Sequence, residues 1–395
     1  MNPKPLLTIG MSTYDDFDGV YFSIQAIRMY HGDIIDSLQF IVLDNHPGSK
    51  EGQATRQFIE ALPAARYIPF PYYNSTSTRD VLFREAPTPY VLCMDSHVFF
   101  APGAIAQLIR YFEEHPASKD LIQGPLVYDN LHQVSSHFIE KWNDGMYGTW
   151  GFDARAANPF SDPFEIPMQG LGVFACRKEA WLGFNPRFRG FGGEEGYIHQ
   201  KYRNAGQQVL CLPFLRWMHR FVRPRGTSYP NKWKDRIRNY LIGFQEVGLD
   251  IAACKNHFRQ LLGEEHYLKV EAEILQEFSS PFSYFDAIYF LPEQGLAYNT
   301  EELQKFFKTW GIEHLIQFPA VEDQVEWSRE GIVQKSRKYQ YQRIAILTGF
   351  LPYTEDNQQG IKERLRQQTT ERWRHFYLWH RQEGGIHWEA INLYN

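Results

Sequence analysis

The sequence is poor in cysteine, and its four cysteines are far apart: Cys93, Cys176, Cys211 and Cys254. Dispersed cysteines form neither a paired zinc-binding motif nor the frame of a disulfide-bonded protein, so we expect buried thiols. No apolar run is long enough to span a bilayer, and the N-terminus shows no signal-peptide pattern. We therefore expect a cytoplasmic protein without a transmembrane segment.

A strong excess of one charge is also lacking. The 41 Lys and Arg residues nearly balance the 46 Asp and Glu residues, which gives a net charge of −5. This balance argues against nucleic acid or an anionic membrane as a general partner. The chain is instead rich in apolar residues. Hydrophobic residues make up 43% of its 395 residues and aromatic residues 16%, enough for one large core or two domains.

Strand-like and helical segments alternate through the first half of the chain. Strands are predicted at Leu6–Met11, Leu38–Leu43, Ala65–Phe70 and Pro89–Met94, with helices at Tyr21–Tyr30, Gln53–Ala61 and Arg79–Glu85. This alternation predicts an α/β fold with a largely parallel sheet flanked by helices. In such sheets, ligands bind beyond the carboxyl ends of the strands.

Acidic residues follow three of these predicted strands. Asp15 and Asp16 follow the first, Asp44 follows the second, and Asp95 ends the strand after Pro89. Since parallel strands end at one edge of the sheet, the pattern predicts a crevice lined with acids. The alternative is that these residues cap the helices that follow.

The triplet Asp95-Ser96-His97 suggests a metal site. Residues two apart on a strand point to the same side, so Asp95 and His97 can act together. Carboxylate with imidazole suits Mn²⁺ better than Mg²⁺ or Ca²⁺, which prefer oxygen ligands. Taken alone, the triplet fits a strand end whose Asp and Ser make local hydrogen bonds better than it fits a metal site.

Two later motifs favour a functional interpretation. Gly192-Gly193-Glu194-Glu195 places two carboxylates at a glycine-rich turn that opens a predicted helix, where helix capping would need only one acid. Such a pair suits a general base and a ligand for an acceptor hydroxyl. His219 ends an apolar run between Arg216 and Arg220, and is a third candidate ligand or else a surface residue.

These three motifs, in this order, resemble the GT-A nucleotide-sugar glycosyltransferases of the family-2-like group. The Asp95-Ser96-His97 form and the late His219 are most similar to the polypeptide N-acetylgalactosaminyltransferases, and the Gly-Gly-Glu-Glu turn is similar to that of β-1,4-galactosyltransferases. The resemblance covers roughly residues 6–225. It implies a GT-A (Rossmann-like) fold and a UDP-sugar donor bridged by Mn²⁺ or another divalent cation.

The resemblance also implies roles for individual residues. Asp95, His97 and His219 would bind the metal, while Ser96, Arg79, Arg220 and Arg223 would contact the donor and its phosphates. Thr13, Asp15 and Asp16 would lie against the base or ribose, and Asp44 would accept a hydrogen bond from uracil or ribose.

The acid pair would carry the reaction. Glu195 aligns with the general base of inverting members and Glu194 with the acceptor-binding position. Retaining relatives share the metal motif, so it does not decide the stereochemistry. The predicted enzyme transfers a hexose or N-acetylhexosamine to a glycan, protein or lipid-linked acceptor. The alternatives are a catalytically silent glycan-binding or scaffold protein on the same fold, and a metal-dependent hydrolase, which lacks support from any recognisable motif.

The chain is predicted to have two domains. Residues 1–278 form the GT-A domain, and residues 284–395 form a smaller C-terminal α/β accessory domain that is a candidate surface for acceptor binding or self-association. In this second domain we predict strands at 286–291, 315–318 and 344–347, and helices at 300–310 and 360–380. Residues 111–167 have no clean period and are interpreted as loops over the crevice.

Overall fold

The computed structural model describes residues 5–70, 75–185, 188–222, 229 and 231–279, together with five strands between residues 286 and 391. Two compact units divide the chain, residues 1–268 and residues 269–395. The predicted domain limits at residues 278 and 284 stay a prediction.

The first unit contains fourteen strands among its described residues. They are β1 (Leu7–Thr13), β2 (Leu38–Asp44), β3 (Ala65–Pro69), β4 (Tyr90–Asp95), β5 (Val98–Phe100), β6 (Leu121–Gln123), β7 (Leu126–Val127), β8 (Val134–Ser135), β9 (His137–Asn143), β10 (Met146–Gly151), β11 (Phe164–Glu165), β12 (Val173–Arg177), β13 (Val209–Cys211) and β14 (Trp217–His219).

Helices connect and flank these strands. They are α1 (Phe17–Tyr30), α2 (Lys50–Glu60), α3 (Arg79–Glu85), α4 (Ala104–Glu114), α5 (Glu194–Asn204), α6 (Trp233–Val247), α7 (Ile251–Leu262) and α8 (Glu264–Ser279). The last of these contains the boundary between the two units. No helix in the described part of the chain is both long and apolar enough to cross a membrane.

Eight strands form the main sheet, in the order β11-β13-β6-β12-β4-β1-β2-β3. β3, β2, β1 and β4 are mutually parallel, and β6 is parallel to β13. β12 runs antiparallel to both β4 and β6, and β11 antiparallel to β13. The predicted α/β class with a mostly parallel sheet is therefore confirmed.

The core lies between this sheet and its helices. β1 and β4 are buried along nearly their whole length, as expected for strands covered on both faces, and β4 is apolar up to Met94. α1 contributes Val20, Ile24 and Ile27 to the core, a helical spacing that buries one face. The four cysteines are buried free thiols, as predicted.

The interpretation of residues 111–167 as loops is wrong in part. This region holds strands β6 to β11, including the antiparallel hairpin of β9 and β10. Two of these strands, β7 and β8, belong to a separate four-stranded sheet in the order β5-β14-β7-β8. β9 has almost no buried residue, so it lacks the apolar alternation by which a strand is recognised in a sequence.

The second unit contains a five-stranded sheet, in the order β16-β17-β15-β18-β19. Its strands are β15 (Asp286–Leu291), β16 (His314–Gln317), β17 (Arg343–Leu347), β18 (His375–Gln382) and β19 (Gly385–Ile391), and only β19 pairs antiparallel. The three predicted strands are confirmed. The predicted helix at 360–380 is wrong at its C-terminal end, where aromatic residues that favour strands form β18. The predicted helix at 300–310 lies outside the described residues.

Candidate functional site

The carboxyl ends of the central strands meet at one edge of the main sheet. The strand register places Ser12 beside Asp95 and Thr13 beside Asp44. The acids that end β4 and β2 thus lie on either side of the end of β1. An open cleft with a volume of about 140 Å³ lies at this edge.

Three side chains converge at this edge from two parts of the chain. Asp95 ends β4, His97 begins the turn into β5, and His219 ends β14, which pairs antiparallel with β5. His219 Nε2 lies 3.3 Å from Asp95 Oδ2 and 3.0 Å from His97 Nε2. One potential ligand atom from each residue lies within 4.8 Å of the other two. The structure therefore brings together the three predicted metal ligands.

The donor set fits a divalent cation. Two imidazoles and one carboxylate form a mixed nitrogen and oxygen donor set of the kind that holds divalent first-row metal ions. The two Nε2 atoms face one another at 3.0 Å, and neutral imidazoles can share only one proton there, so at least one lone pair faces the space between them. His97 Nδ1 lies 2.6 Å from Asp16 Oδ2, the carboxylate–histidine arrangement that commonly supports a metal ligand.

The electrostatics of Asp95 are suited to a ligand. Burial alone would raise its pKa, but the hydrogen bond to His219 and the positive charge of Arg79 outweigh it. The pKa of Asp95 is held well below its usual range, so the carboxylate is ionised at every physiological pH.

Arg79 links this donor set to the predicted acid pair. It begins α3, its side chain is only 10% exposed, and its Nη2 donates to Asp95 Oδ1 at 2.9 Å. Its Nη1 lies 4.0 Å from Glu194 Oε1. One buried cation thus lies between the carboxylates of Asp95 and Glu194.

The acid pair lies in the first turn of α5, where the sequence places it. Gly192 and Gly193 have φ of +101° and +92°, in the left-handed region that other residues avoid. The two glycines therefore allow the backbone to adopt this turn. A Cβ at Gly193 would lie 3.0 Å from the backbone nitrogen of Tyr240, so the turn also packs tightly on α6.

Both glutamates are almost fully buried, at 1% exposure for Glu194 and 5% for Glu195. Burial and the neighbouring charge of Glu194 raise the pKa of Glu195 to about 8, and burial also raises the pKa of Glu194. One carboxyl oxygen of each residue, Oε2, is buried without a hydrogen-bond partner among the described residues. Neither glutamate lines the open cleft. The sequence did not predict that the two acids are buried.

The remaining predicted donor residues take different positions. Thr13 and Ser96 line the cleft. Asp44 is buried and accepts hydrogen bonds from the His46 backbone and the Tyr67 hydroxyl, both at 2.8 Å, while its burial raises its pKa. Asp15, with φ of +49°, makes an ion pair with His46 at 2.9 Å.

The two predicted residues nearest the metal ligands have distinct contacts. Asp16 lines the cleft and lies against His97, and Arg220 Nη2 donates to Asp16 Oδ1 at 2.9 Å. Arg223 lies outside the described residues, and its proposed phosphate contact stays a prediction.

Several residues of the cleft were not predicted from the sequence. They include Tyr14, whose ring stacks on His46 at 5.0 Å, and further lining residues Asn45, Ser75, Thr76, Thr78, Phe191 and Tyr229. Residues 75–78 reach the glycine-rich turn through a bridge between Ser75 and Gly190. The polar run Ser75-Thr76-Ser77-Thr78 just before Arg79 is the one signal in the sequence that marks this wall.

The buried Glu195 predicts a pH dependence of stability that Glu195→Gln should remove. Its pKa is raised from 4.5 to about 8, so the folded state holds this proton more tightly than the unfolded state. The resulting stabilisation is complete below the unfolded pKa of 4.5 and is lost as the pH rises through 8. We expect wild type to lose stability relative to Glu195→Gln over this range, by up to about 1.4 kcal/mol for each pH unit.

Urea unfolding of both proteins at the two ends of this pH range measures the effect. Glu179→Gln, at an exposed glutamate, is the control. A stability difference between wild type and Glu195→Gln that does not change with pH would contradict the assigned pKa.

Comparisons with known proteins bear on this geometry. Residues 8–181, somewhat less than half of the chain, match the family model of glycosyl transferase family 2. No curated protein sequence matches the chain significantly. Among solved structures, GalNAc-T7 with UDP, GalNAc and Mn²⁺ is 12% identical with a TM-score of 0.47. The match covers 62% of this chain and 48% of that one.

A second solved structure is the mannosyltransferase PcManGT from Pyrobaculum calidifontis in complex with GDP-Man and Mn²⁺. It is 12% identical with a TM-score of 0.42, and the match covers 78% of this chain and 81% of that one. This chain thus spans about half the length of the GalNAc-T7 chain and most of the length of the mannosyltransferase. Through residues 8–181 the first unit is similar to glycosyl transferase family 2, and its large, mostly parallel sheet flanked by helices is an α/β fold of the GT-A kind.

Proposed function

We propose that this protein is a Mn²⁺-dependent glycosyltransferase that moves a hexose or an N-acetylhexosamine from a UDP-sugar to an acceptor hydroxyl. The observation that supports this function best is the convergence of Asp95, His97 and His219 at the carboxyl ends of parallel strands, beside an open cleft. The choice of UDP rests on the resemblance of the Asp-Ser-His motif to the N-acetylgalactosaminyltransferases.

Departure of the nucleoside diphosphate needs positive charge. A divalent cation held by Asp95, His97 and His219 would act as a Lewis acid on the diphosphate. Arg220 follows His219 directly, and its side chain is 39% exposed, so its guanidinium can reach phosphate oxygens as a bidentate partner. Arg79 is buried at the base of this site and keeps Asp95 oriented.

The acceptor hydroxyl needs a base, and the proposal assigns this role to Glu195, with Glu194 as its acceptor-binding neighbour. A carboxylate whose pKa is raised to about 8 is a stronger base than an exposed glutamate, and its pKa is near a working pH. The buried Oε2 atoms of the two residues have unused hydrogen-bonding capacity that an acceptor hydroxyl would satisfy. Direct displacement by an activated hydroxyl would invert the anomeric configuration.

The wider setting is also part of the proposal. The acceptor is taken to be a glycan, a protein or a lipid-linked glycan, and the protein is taken to act in the cytoplasm. The second unit is proposed as an accessory domain for acceptor binding or self-association.

Calorimetric titration of the full chain with UDP, with and without Mn²⁺, is the first test. We expect UDP to bind and to raise the unfolding temperature only when Mn²⁺ is present, since a ligand stabilises the state that it binds. GDP serves as the control for the choice of nucleotide, and Ca²⁺ serves as the control for the choice of cation. If UDP fails to bind with any divalent cation, the silent scaffold becomes the better interpretation.

A further inference from the structure

Asp16 occupies the N-cap position of α1, yet its side chain makes no capping hydrogen bond. Aspartate at this position normally accepts from backbone N–H groups of the first turn. Here Oδ2 accepts from the Ser96 hydroxyl at 2.8 Å and lies 2.6 Å from His97 Nδ1, and Oδ1 accepts from Arg220 at 2.9 Å. Both carboxyl oxygens are therefore directed at the residues around the donor set rather than at the helix.

The packing of α1 also supports the backbone around His97. Ser23 Oγ donates to the backbone oxygen of Ser96 at 3.0 Å and accepts from the backbone N–H of Val98 at 3.0 Å. A Cβ at Gly19 would collide with the Asp16 carboxylate and would lie 2.8 Å from the Ser96 oxygen. Only glycine allows this close approach, so α1 holds the backbone on both sides of His97.

The hydrogen bonds around His97 select one tautomer. A carboxylate cannot donate, so the close contact with Asp16 requires a proton on His97 Nδ1. A neutral ring with that proton has its lone pair on Nε2, the atom that faces His219. Since an ionised carboxylate is a stronger acceptor than a hydroxyl, Asp16 outweighs Ser96, whose Oγ is 3.2 Å from the same nitrogen.

Asp16 also joins two distant parts of the chain. Arg220 follows the ligand His219 on the strand that pairs with β5, and its ion pair with Asp16 spans 204 residues. The carboxylate therefore contacts His97 directly. Through its ion pair with Arg220, it also holds the segment that carries His219.

We propose that Asp16 is a positioning residue of the metal site, which fixes the Nδ1–H tautomer of His97 and draws the His219 segment toward it. The inference rests on the proposed function, because it concerns the affinity of that site for a divalent cation. It departs from the prediction that Asp16 contacts the base or ribose.

Asp16→Ala tests the proposal, with Asp18→Ala as the matched control. Asp18 is an exposed acid two residues away on the same helix, so both variants lose the same charge and only one loses the contact. We expect Asp16→Ala to bind Mn²⁺ about 10- to 100-fold more weakly than wild type, as found when other outer-shell partners are removed. Asp18→Ala should bind like wild type, since long-range charge effects are screened by salt.

The second readout needs no metal. In long-range ¹H–¹⁵N spectra of the metal-free protein, we expect His97 to carry its proton on Nδ1 in wild type and in Asp18→Ala. In Asp16→Ala, the released Ser96 hydroxyl can donate to Nδ1 across 3.2 Å, so the Nε2–H form should appear. A purely structural role for Asp16 would not change this tautomer.

Gly19→Ala provides a second variant in case Asp16→Ala does not fold. It keeps the aspartate but displaces its carboxylate, so we expect the same loss of affinity and the same change of tautomer. Wild-type affinity together with an unchanged tautomer in the folded variant would overturn the proposal, as would an equal loss in Asp18→Ala. If wild type binds no Mn²⁺, the proposed function fails, while the tautomer still decides the role of Asp16.

Discussion

Replacement of Asp95 by alanine is expected to abolish Mn²⁺-dependent binding of UDP and to lower turnover by about 10³-fold. The change removes the only carboxylate of the three-residue donor set. Transition-state stabilisation of about 4 kcal/mol, a moderate figure for metal-ion catalysis, corresponds to this loss of rate. Calorimetry with UDP and Mn²⁺, together with initial rates of sugar transfer, measures the two effects.

Asp95→Ala also removes the partner of Arg79, and this second effect has to be separated. A buried guanidinium that loses its carboxylate costs about 3–5 kcal/mol of stability. The double variant Asp95→Ala/Arg79→Leu removes both charges, and we expect it to recover much of that stability without recovering metal binding. Asp162→Ala, at an exposed aspartate, is the control for an ordinary loss of charge. Mn²⁺-dependent UDP binding in the folded double variant would contradict the assignment of Asp95 as a ligand.

Glu195→Gln is expected to lower the rate of transfer by about 10²- to 10⁴-fold, the usual contribution of a general base. Glutamine has nearly the same shape but cannot accept the hydroxyl proton. Binding of UDP and Mn²⁺ should be unchanged, because Glu195 does not line the open cleft. Single-turnover rates and calorimetry on the same variant separate chemistry from donor binding.

The pH profile of the wild-type enzyme provides a second check on this residue. Only the ionised carboxylate can take a proton, so the rate should rise with pH until it levels off near the pKa of about 8. Glu194→Gln is the control at the neighbouring residue: it should mainly raise the KM for the acceptor, and it should shift the pH profile to lower pH because it removes a charge that raises the pKa of Glu195. Near-normal turnover by Glu195→Gln would exclude Glu195 as the base.

β2 and β4 could be predicted from the sequence because burial on both faces leaves a continuous apolar run in each strand. β4 was predicted at its observed end, Asp95, and α3 at both observed ends. The rule that parallel strands end at one edge of a sheet then placed Asp44 and Asp95 at the same edge, although only Asp95 lines the cleft. Neither step needed knowledge of long-range contacts.

The features that were missed depend on such contacts. The direction of β12 follows from its pairing with β4, and nothing in its five residues encodes an antiparallel partner. The burial of Glu194 and Glu195 depends on the packing of α6 on their glycine turn. The contact between Asp16 and His97 joins residues 81 apart, where the local pattern around Asp16 is that of an ordinary helix cap.

The separation in sequence between the three proposed metal ligands has a consequence for biosynthesis. His97 and His219 are 122 residues apart, whereas β1 to β4 lie within the first 95 residues. Contacts between distant residues form late, because closing a long loop costs entropy before the contact repays it. During synthesis, the sheet that supports the cleft can therefore assemble before the second histidine leaves the ribosome. The nascent protein would then form the sheet first and the proposed metal site afterwards.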